Sequence, residues 1–560
     1  IRDRDIVNLP GVVGVYTAKD LVSNIWGPIS ADQPIMAYDE IRYFGEVVGI
    51  IVADSFETAF SARRALNIVY NKAEPILSVD EAKKKNSFLG ETYDWKTGDM
   101  LSVKKKKHHQ LKGTFTNGGQ EHFYLESQAV IAYPAEQGAL KILSSSQHPT
   151  EVQHVVAKCL GLSYHEVVCE VKRMGGGFGG KESQASHIAT LAALACHKTN
   201  RSARLILNKD DDMMITGKRH PFQNDYEVYF DSTGKIHGIE VNFFADGGAY
   251  LDLSPAILQR AMFHVDNAYF LENAHITGKI CKTNTASNTA FRGFGGPQGA
   301  AVIESILEDI AHFLKIDSLI VRKKNLYAND NGLTTHYGQL IENNLLPEIF
   351  EKLEQTSEYQ KRKTEVEKFN KKNKYYKKGL SLTGAKFGIS FTSKFLNQAN
   401  ALVNVHVDGT VQVSTGATEM GQGVNTKIQQ IVAEAFAIDA SDVKIMTTST
   451  EKNHNTSATA ASSGTDLNGA AALLAAEQIK ERLFKVAAQV FTKNPAGKDG
   501  EYCGEAGVDT SNIKFENGMI LKSDHKISFK ELVNLCYFNR VNLGARAVSY
   551  THLTLPTTPY

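Results

Sequence analysis

Between Lys172 and Ser183 the chain reads KRMGGGFGGKES, with five glycines among the six residues from Gly175 to Gly180. Each glycine costs backbone entropy on folding and offers no side chain to pack, so a cluster this dense requires that something approach the backbone closely. The apolar, strand-like EVVCEVK precedes the run and the helix-like SQASHIATLAALA follows it, which predicts a strand–loop–helix unit. Gly175, Gly177 and Gly180 satisfy the G-x-G-x-x-G spacing of dinucleotide sites, but the acidic residue after the next strand comes about thirty positions on rather than about twenty. Read as a phosphate loop, the run places Glu182 where a hydroxyl would hold magnesium, and a carboxylate there would repel a triphosphate. The nearest acidic run, LILNKDDD, reads equally well as a solvated loop.

Composition narrows the classes. With 42% hydrophobic and 22% charged residues the 560-residue chain has an ordinary globular make-up and room for roughly three or four domains. A net charge of +1 gives no reason to expect a nucleic-acid or membrane partner. The longest apolar runs, such as IATLAALA at 188–195, are far too short to cross a bilayer. Six cysteines at 159, 169, 196, 281, 503 and 536 form no C-x-x-C pair, so neither a zinc ribbon nor an iron–sulfur cluster held by this chain alone is expected. Sparse thiols without a secretory leader predict a reducing, cytoplasmic setting. The opening Ile1, in place of Met, predicts a native N-terminus further upstream.

The pattern along the chain predicts an α/β (α+β) architecture, a small α/β domain followed by two larger α/β halves. Residues 1–72 mix the strand-like GEVVGIIVADS with the helical FETAFSARRALNIVY. Residues 73–110 turn to Lys, Pro and Asn and end in VKKKKHHQ. This reads as a solvated linker, because no aromatic residues interleave the lysines and no second basic block supports a nucleic-acid patch. From 111 to 330 strands and helices alternate, with YEVYFDSTGKIHGIEVNFFA as a hairpin on a Ser-Thr-Gly turn. A basic connector over 331–375 contains most of KRKTEVEKFNKKNKYYKK, which reads as a polar helix or connector and most simply as a solvated boundary. The pattern resumes over 376–546 with the hairpin LVNVHVDGTVQVSTG and the amphipathic helix NTKIQQIVAEAFAI, whose Ile428, Ile431, Val432 and Phe436 share a face. The last segment, 547–560, is Thr/Pro-rich and aperiodic and reads as foreign to the rest.

Further small-residue loops follow the first theme: SSSQHPTE, TAFRGFGGPQG, GATEMGQG and TSATAASSGTD. Together they predict walls around one large, flat, phosphorylated ligand between the two halves. With GGGFGGKE, NTAFRGFGGPQG, TEMGQG and SATAAS in that order, residues 1–546 closely resemble the molybdopterin-binding part of the molybdenum hydroxylases, the xanthine dehydrogenase and aldehyde oxidase family. QHPTEVQH and SSGTDLNG are most similar to bacterial members, in which this subunit is a separate polypeptide.

The resemblance implies a hammerhead-like α/β domain ahead of two large α/β molybdopterin-binding domains with the cofactor between them. Carried onto this sequence, it implies that Gln147, Phe178, Arg292 and Ala461 surround the metal, with the backbones of Phe178 and Gly179 toward its oxo groups. Met420, Gly421 and Gln422, with Thr459, Ala460, Ala461, Ser462 and Thr465, would hold the pterin and its phosphate. Glycines there would avoid collision with a planar cofactor and leave N–H groups for its oxygens. Glu182 and Arg260 match a pair that grips a purine, Phe294 and Phe391 two rings that sandwich it, and Leu253 and Thr392 the pocket wall. The implied reaction is hydroxylation of hypoxanthine and xanthine to urate with oxygen from water. Electrons would leave through [2Fe–2S] clusters to FAD and NAD, on a partner subunit or a missing N-terminal region, within an oligomer. Aldehyde oxidases of the family usually lack the glutamate–arginine pair, so a purine is expected and an aldehyde is the alternative.

The pattern departs from the family at one place. The family's general base is a glutamate in a Gly-Glu-Pro-like motif near the C-terminus, whereas CGEAGVD at 503–509 lies elsewhere and lacks the prolines. No catalytic residue is therefore assigned. The parent protein is expected to be an enzyme and the chain as it stands to be silent, with an inactive remnant as the third reading.

Overall fold

The computed structural model describes residues 4–392, 394–493, 502 and 509–550. In the N-terminal unit, strands Val12–Tyr16 and Ile50–Ala53 pair antiparallel beside the helix Phe56–Ala65. That helix begins where the Ser55 side chain accepts the Thr58 N–H, and it stops at Ala65, short of the expected stretch to Tyr70. Trp26, Ile35 and Met36 bury into the layer that follows.

That layer is a five-stranded mixed sheet in the order Ala203–Ile206, Ala129–Pro134, Leu140–Ser144, Val167–Val171, Thr448–Ser449. Helices α1 (Pro149–Leu160) and α2 (Gln184–Thr199) belong to it, with Val152, Val156, Ile188 and Leu191 in its core. The glycine run lies between Val167–Val171 and α2, the strand–loop–helix unit expected. A second five-stranded sheet runs Phe88–Thr97, Ala274–Lys282, Ile236–Gly248, Phe222–Phe230, His109–Asn117. It contains the expected hairpin and shares a core with helices α3 (Ser254–Phe263) and α4 (Gly296–Leu314). These two helices nearly touch, since a Cβ added at Gly299 would lie 2.1 Å from the Ala261 carbonyl oxygen. The third layer pairs Val443–Ile445, Val411–Thr415, Gln398–Val405 and Gly544–Tyr550. It packs with helices α5 (Val424–Phe436) and α6 (Gly464–Thr492). Thr448–Ser449, although late in sequence, pairs with Val167–Val171, so the second half contributes a strand to the first. Among the described residues no helix is long and apolar enough to cross a membrane.

The structure corrects four readings of composition. Residues 73–110, expected as a linker, hold the helices Val79–Lys84 and Met100–Lys105 and the strand Phe88–Thr97. It is an edge strand with one wet face, so polar residues masked the alternation that packs Leu89, Tyr93 and Trp95 on the core. The connector over 331–375 holds the unexpected helix Leu346–Thr356 as well as Tyr359–Lys372, the polar helix its basic stretch allowed, and buried Phe350 and Tyr359 anchor them. The acidic run of LILNKDDD opens the helix Lys209–Ile215, and its Asp212 is buried, accepting from the Tyr124 hydroxyl and the Gln128 N–H, both at 2.7 Å. Finally, the boundary at 547 falls inside a strand, where Ala547 pairs with Ala401 and Ser549 with Ala399. Residues 551–560 and most of CGEAGVD, including Cys503, lie outside the described residues.

Candidate functional site

A single cavity of about 1890 Å³ takes its walls from both halves of the chain. It is larger than the ~300–1,000 Å³ of an ordinary small-molecule pocket. Every site residue implied by the resemblance lines it: Gln147, Phe178, Gly179, Glu182, Leu253, Arg260, Arg292, Phe294, Phe391, Thr392, Met420, Gly421, Gln422, Thr459, Ala460, Ala461, Ser462 and Thr465.

Gln147 joins the walls. Its Oε1 accepts the Gly179 N–H at 2.9 Å, its Nε2 donates to the Thr459 carbonyl at 3.2 Å, and its own carbonyl accepts the Thr459 N–H at 2.9 Å. The Phe178 carbonyl accepts the Arg292 N–H at 2.9 Å, which couples the glycine run to the second glycine loop. Arg219 supports that loop from behind, donating to the Arg292 carbonyl at 2.9 Å and lying 3.8 Å from the centre of the Phe291 ring.

The glycines serve a different purpose from the one expected. A Cβ at Gly177 would meet Gln147 Oε1 at 2.7 Å, one at Gly179 the Ala290 carbonyl oxygen at 2.7 Å, and one at Gly180 the His122 ring at 2.7 Å. Protein atoms, rather than space reserved for a cofactor, exclude side chains there. Several of the N–H groups are also taken, Gly179 by Gln147 and Gly180 by the Gly177 carbonyl. Lys181, the lysine of the phosphate-loop pattern, is fully buried with its amine 4.7 Å from the centre of the Tyr124 ring, and it does not line the cavity.

Gly421 and Gly423 differ, for nothing lies within 4 Å of a Cβ added at either. Their N–H groups and that of Asn425 all donate to the Glu419 carboxylate, at 2.9, 3.1 and 3.0 Å. Burial of Glu419 opposes ionisation, but those three N–H groups outweigh it and hold the carboxyl below its usual range.

Glu182 is buried, and among the described residues no protein group donates to its carboxyl. Burial, with Glu151 and Asp252 adding repulsion, pushes it up to about 8. Asp252 lies behind it, accepting from Ser183 Oγ at 2.9 Å and Gln184 Nε2 at 2.5 Å, and burial pushes that carboxyl up to about 7. Arg260, on α3, is 2% exposed and donates through Nη1 to the Gly388 carbonyl at 2.7 Å and through Nη2 to that of Ser390. Its Nε is buried with no protein partner. Burial lowers the guanidinium to about 10, which leaves it charged at neutral pH.

Six non-glycine lining residues, Phe123, Phe178, Phe294, Asn455, Ala461 and Ser462, hold left-handed backbone at φ of 49, 53, 50, 56, 53 and 56°. Each costs on the order of 1–3 kcal/mol and persists where the surroundings impose it, typically at ligand sites. Sequence reasoning missed this strain and also missed Asp252, Glu151 and Glu419. Glu419 sits inside the quoted GATEMGQG, but its N–H capture depends on a loop conformation that residue types alone do not show. Among the described residues no group of three or more His, Cys, Asp or Glu is placed to hold a metal ion.

Models of the molybdopterin cofactor-binding domain match residues 79–326 and 352–559, and the a/b hammerhead domain of aldehyde oxidase and xanthine dehydrogenase matches residues 1–74. The chain is 40% identical over 537 residues to a xanthine dehydrogenase of Dictyostelium discoideum, covering 96% of this chain and 37% of that protein. It is 44% identical over 493 residues to the xanthine dehydrogenase/oxidase of Mus musculus, covering 87% and 36%. The chain thus spans little more than a third of the length of these relatives. In fold it is similar to quinoline 2-oxidoreductase from Pseudomonas putida 86 (TM-score 0.85, 21% identity, 98% of this chain and 73% of that one). It is likewise similar to an aldehyde oxidoreductase from Desulfovibrio gigas (TM-score 0.76, 20% identity, 98% and 57%). The chain belongs to the xanthine dehydrogenase and aldehyde oxidase family of molybdenum hydroxylases, of which it forms the molybdopterin-binding region.

Proposed function

We propose that the protein containing this chain hydroxylates hypoxanthine and xanthine to urate, with the cavity holding the molybdenum–pterin cofactor and the purine together. The observation that carries this reading is a buried acid and a buried guanidinium, Glu182 and Arg260, each keeping polar atoms without a protein partner in a cavity too large for one small molecule. The residues fit the cofactor. Backbone beside open space at Gly421 and Gly423 leaves room for a flat ring system. Gln147, Phe178, Gly179, Arg292 and Ala461 would surround the metal. Met420, Gly421, Gln422, Thr459, Ala460, Ser462 and Thr465 would hold the pterin and its phosphate. When bound, the cofactor supplies two-electron oxidation and an oxygen atom derived from water.

The chain's own residues hold the substrate. Glu182, protonated at neutral pH, donates a hydrogen bond to a ring nitrogen of the purine or shares its proton there. Arg260 stabilises negative charge that develops on the purine during attack. Phe294 and Phe391 bound the flat heterocycle, with Leu253 and Thr392 closing the wall. Electrons leave to [2Fe–2S] and FAD groups on a partner subunit or domain, within an oligomer. The test is Arg260→Met in the full-length enzyme. Loss of one charge-stabilising donor should lower turnover on xanthine by about 100-fold, or roughly 3 kcal/mol; unchanged turnover removes Arg260 from this role and the purine reading with it.

A further inference from the structure

The segment from Gly384 to Thr392 has no regular secondary structure, yet it carries Phe391 and Thr392 into the cavity and supplies both carbonyls that hold Arg260. Sequence separates it from α3 by more than a hundred residues, so what holds it across that helix decides where the guanidinium points. Its contacts form a series. Asn267 Nδ2 donates to the Gly384 carbonyl at 2.9 Å, and the Lys386 N–H donates to Asn267 Oδ1 at 3.2 Å. The Gly388 N–H donates to His264 Nε2 at 3.2 Å. Since that nitrogen accepts, the His264 proton sits on Nδ1, which donates to the Arg260 carbonyl at 2.9 Å.

Lys386 is the one charged residue between Gly384 and Thr392. Its Nζ donates to Asp266 Oδ2 at 2.7 Å and to the Tyr337 hydroxyl at 3.0 Å. The Asp266 side chain is fully buried, and the same oxygen accepts from the Tyr327 hydroxyl at 2.5 Å. A buried carboxylate oxygen that already accepts from a fixed hydroxyl has one favourable place for the ammonium. We propose that Lys386, seated on Asp266, is a positioning residue that fixes the Gly384–Thr392 segment across α3 and so sets the orientation of Arg260 and the placement of Phe391. The inference rests on the purine reading of Arg260. Lys386 itself does not line the cavity.

The test compares Lys386→Met, Arg260→Met and the double variant in the full-length holoenzyme, with xanthine and benzaldehyde as substrates and molybdenum content measured on each preparation. Misplacement of a guanidinium by about 1 Å costs up to ~100-fold, so Lys386→Met should lower kcat/KM for xanthine by roughly 10- to 100-fold. Benzaldehyde, which does not need Arg260, should change less than about twofold at equal molybdenum content. Lys386→Arg should restore most of the loss, and in the double variant Lys386→Met should add little to Arg260→Met. Equal losses on both substrates, full additivity, or unchanged xanthine turnover in Lys386→Met would each overturn the inference. If Lys386→Met fails to fold, Lys386→Gln, which keeps a donor to Asp266, reads the same substrate ratio. Failure of the purine reading itself is separate: it appears as unchanged xanthine turnover in Arg260→Met.

Discussion

The two walls of the cavity are built by opposite means. The wall from the first half is tightly packed, with Arg260 and Gln147 also held by carbonyls of the second half. Its glycines are hemmed in by Gln147, Ala290 and His122, and its charged groups, Glu182 and Arg260, are 5% and 2% exposed. The wall from the second half offers backbone beside open space at Gly421 and Gly423, with Gln422 exposed and Thr459 to Ser463 following as a loop of small residues into α6. One wall holds polarity in fixed geometry, and the other leaves room for a ligand to complete it. The carboxyls show the same division: Glu182 and Asp252 on the first side are raised, while Glu419 on the second is lowered.

The largest expected effect comes from breaking the packed wall. Gly179→Ala meets a φ of 102° and a carbonyl 2.7 Å from its Cβ, so it should cost about 3 kcal/mol or more, read as a lowered urea midpoint. A cost below about 1 kcal/mol would show that the glycine run yields more readily than its packing implies.

The carboxyls sharpen the comparison through pH. Asp252 is raised to about 7 in the folded protein, so the stability linked to it is present below about pH 4 and is lost as pH rises toward 7. Asp252→Asn should therefore gain on the wild type by up to about 1.4 kcal/mol per pH unit across that window. Glu419 is lowered, so its contribution is present above the ordinary glutamate range and is lost as the pH falls through its depressed value. Glu419→Gln should cost about 1–2 kcal/mol at pH 7 and less as the solution is acidified. Thermal melts at stepped pH check both signs; slopes of the same sign for the two variants would contradict the division. The smallest effect belongs to Gly464→Ala at the start of α6, where the nearest atom to the added Cβ is 3.5 Å away. Its stability should stay within about 0.5 kcal/mol of the wild type.

Much of this was legible in the sequence, and the reasons it was or was not are physical. The hairpin Phe222–Phe230/Ile236–Gly248 and helix α5 appeared because alternation and 3.6-residue periodicity are local properties. The loops that line the cavity were legible because small residues mark close backbone approach, although the approaching atoms at Gly177 and Gly179 proved to be protein atoms, whereas Leu253, Arg260, Phe391 and Thr392 were reached only through the family resemblance. The strand Phe88–Thr97 was hidden because an edge strand carries polar residues on its wet face. The seat of Lys386 on Asp266 was hidden because it joins residues 120 apart, which no local pattern links.

In the proposed reading, Glu182 and Arg260 on the packed wall select a purine. The most direct measurement is the ratio of kcat/KM for xanthine to that for benzaldehyde in full-length Glu182→Val against the wild type, at matched molybdenum content. A pocket built around a hydrogen-bonding group discriminates strongly by that group. The account predicts that the ratio falls by roughly 100-fold or more, with benzaldehyde turnover retained. An unchanged ratio would contradict it.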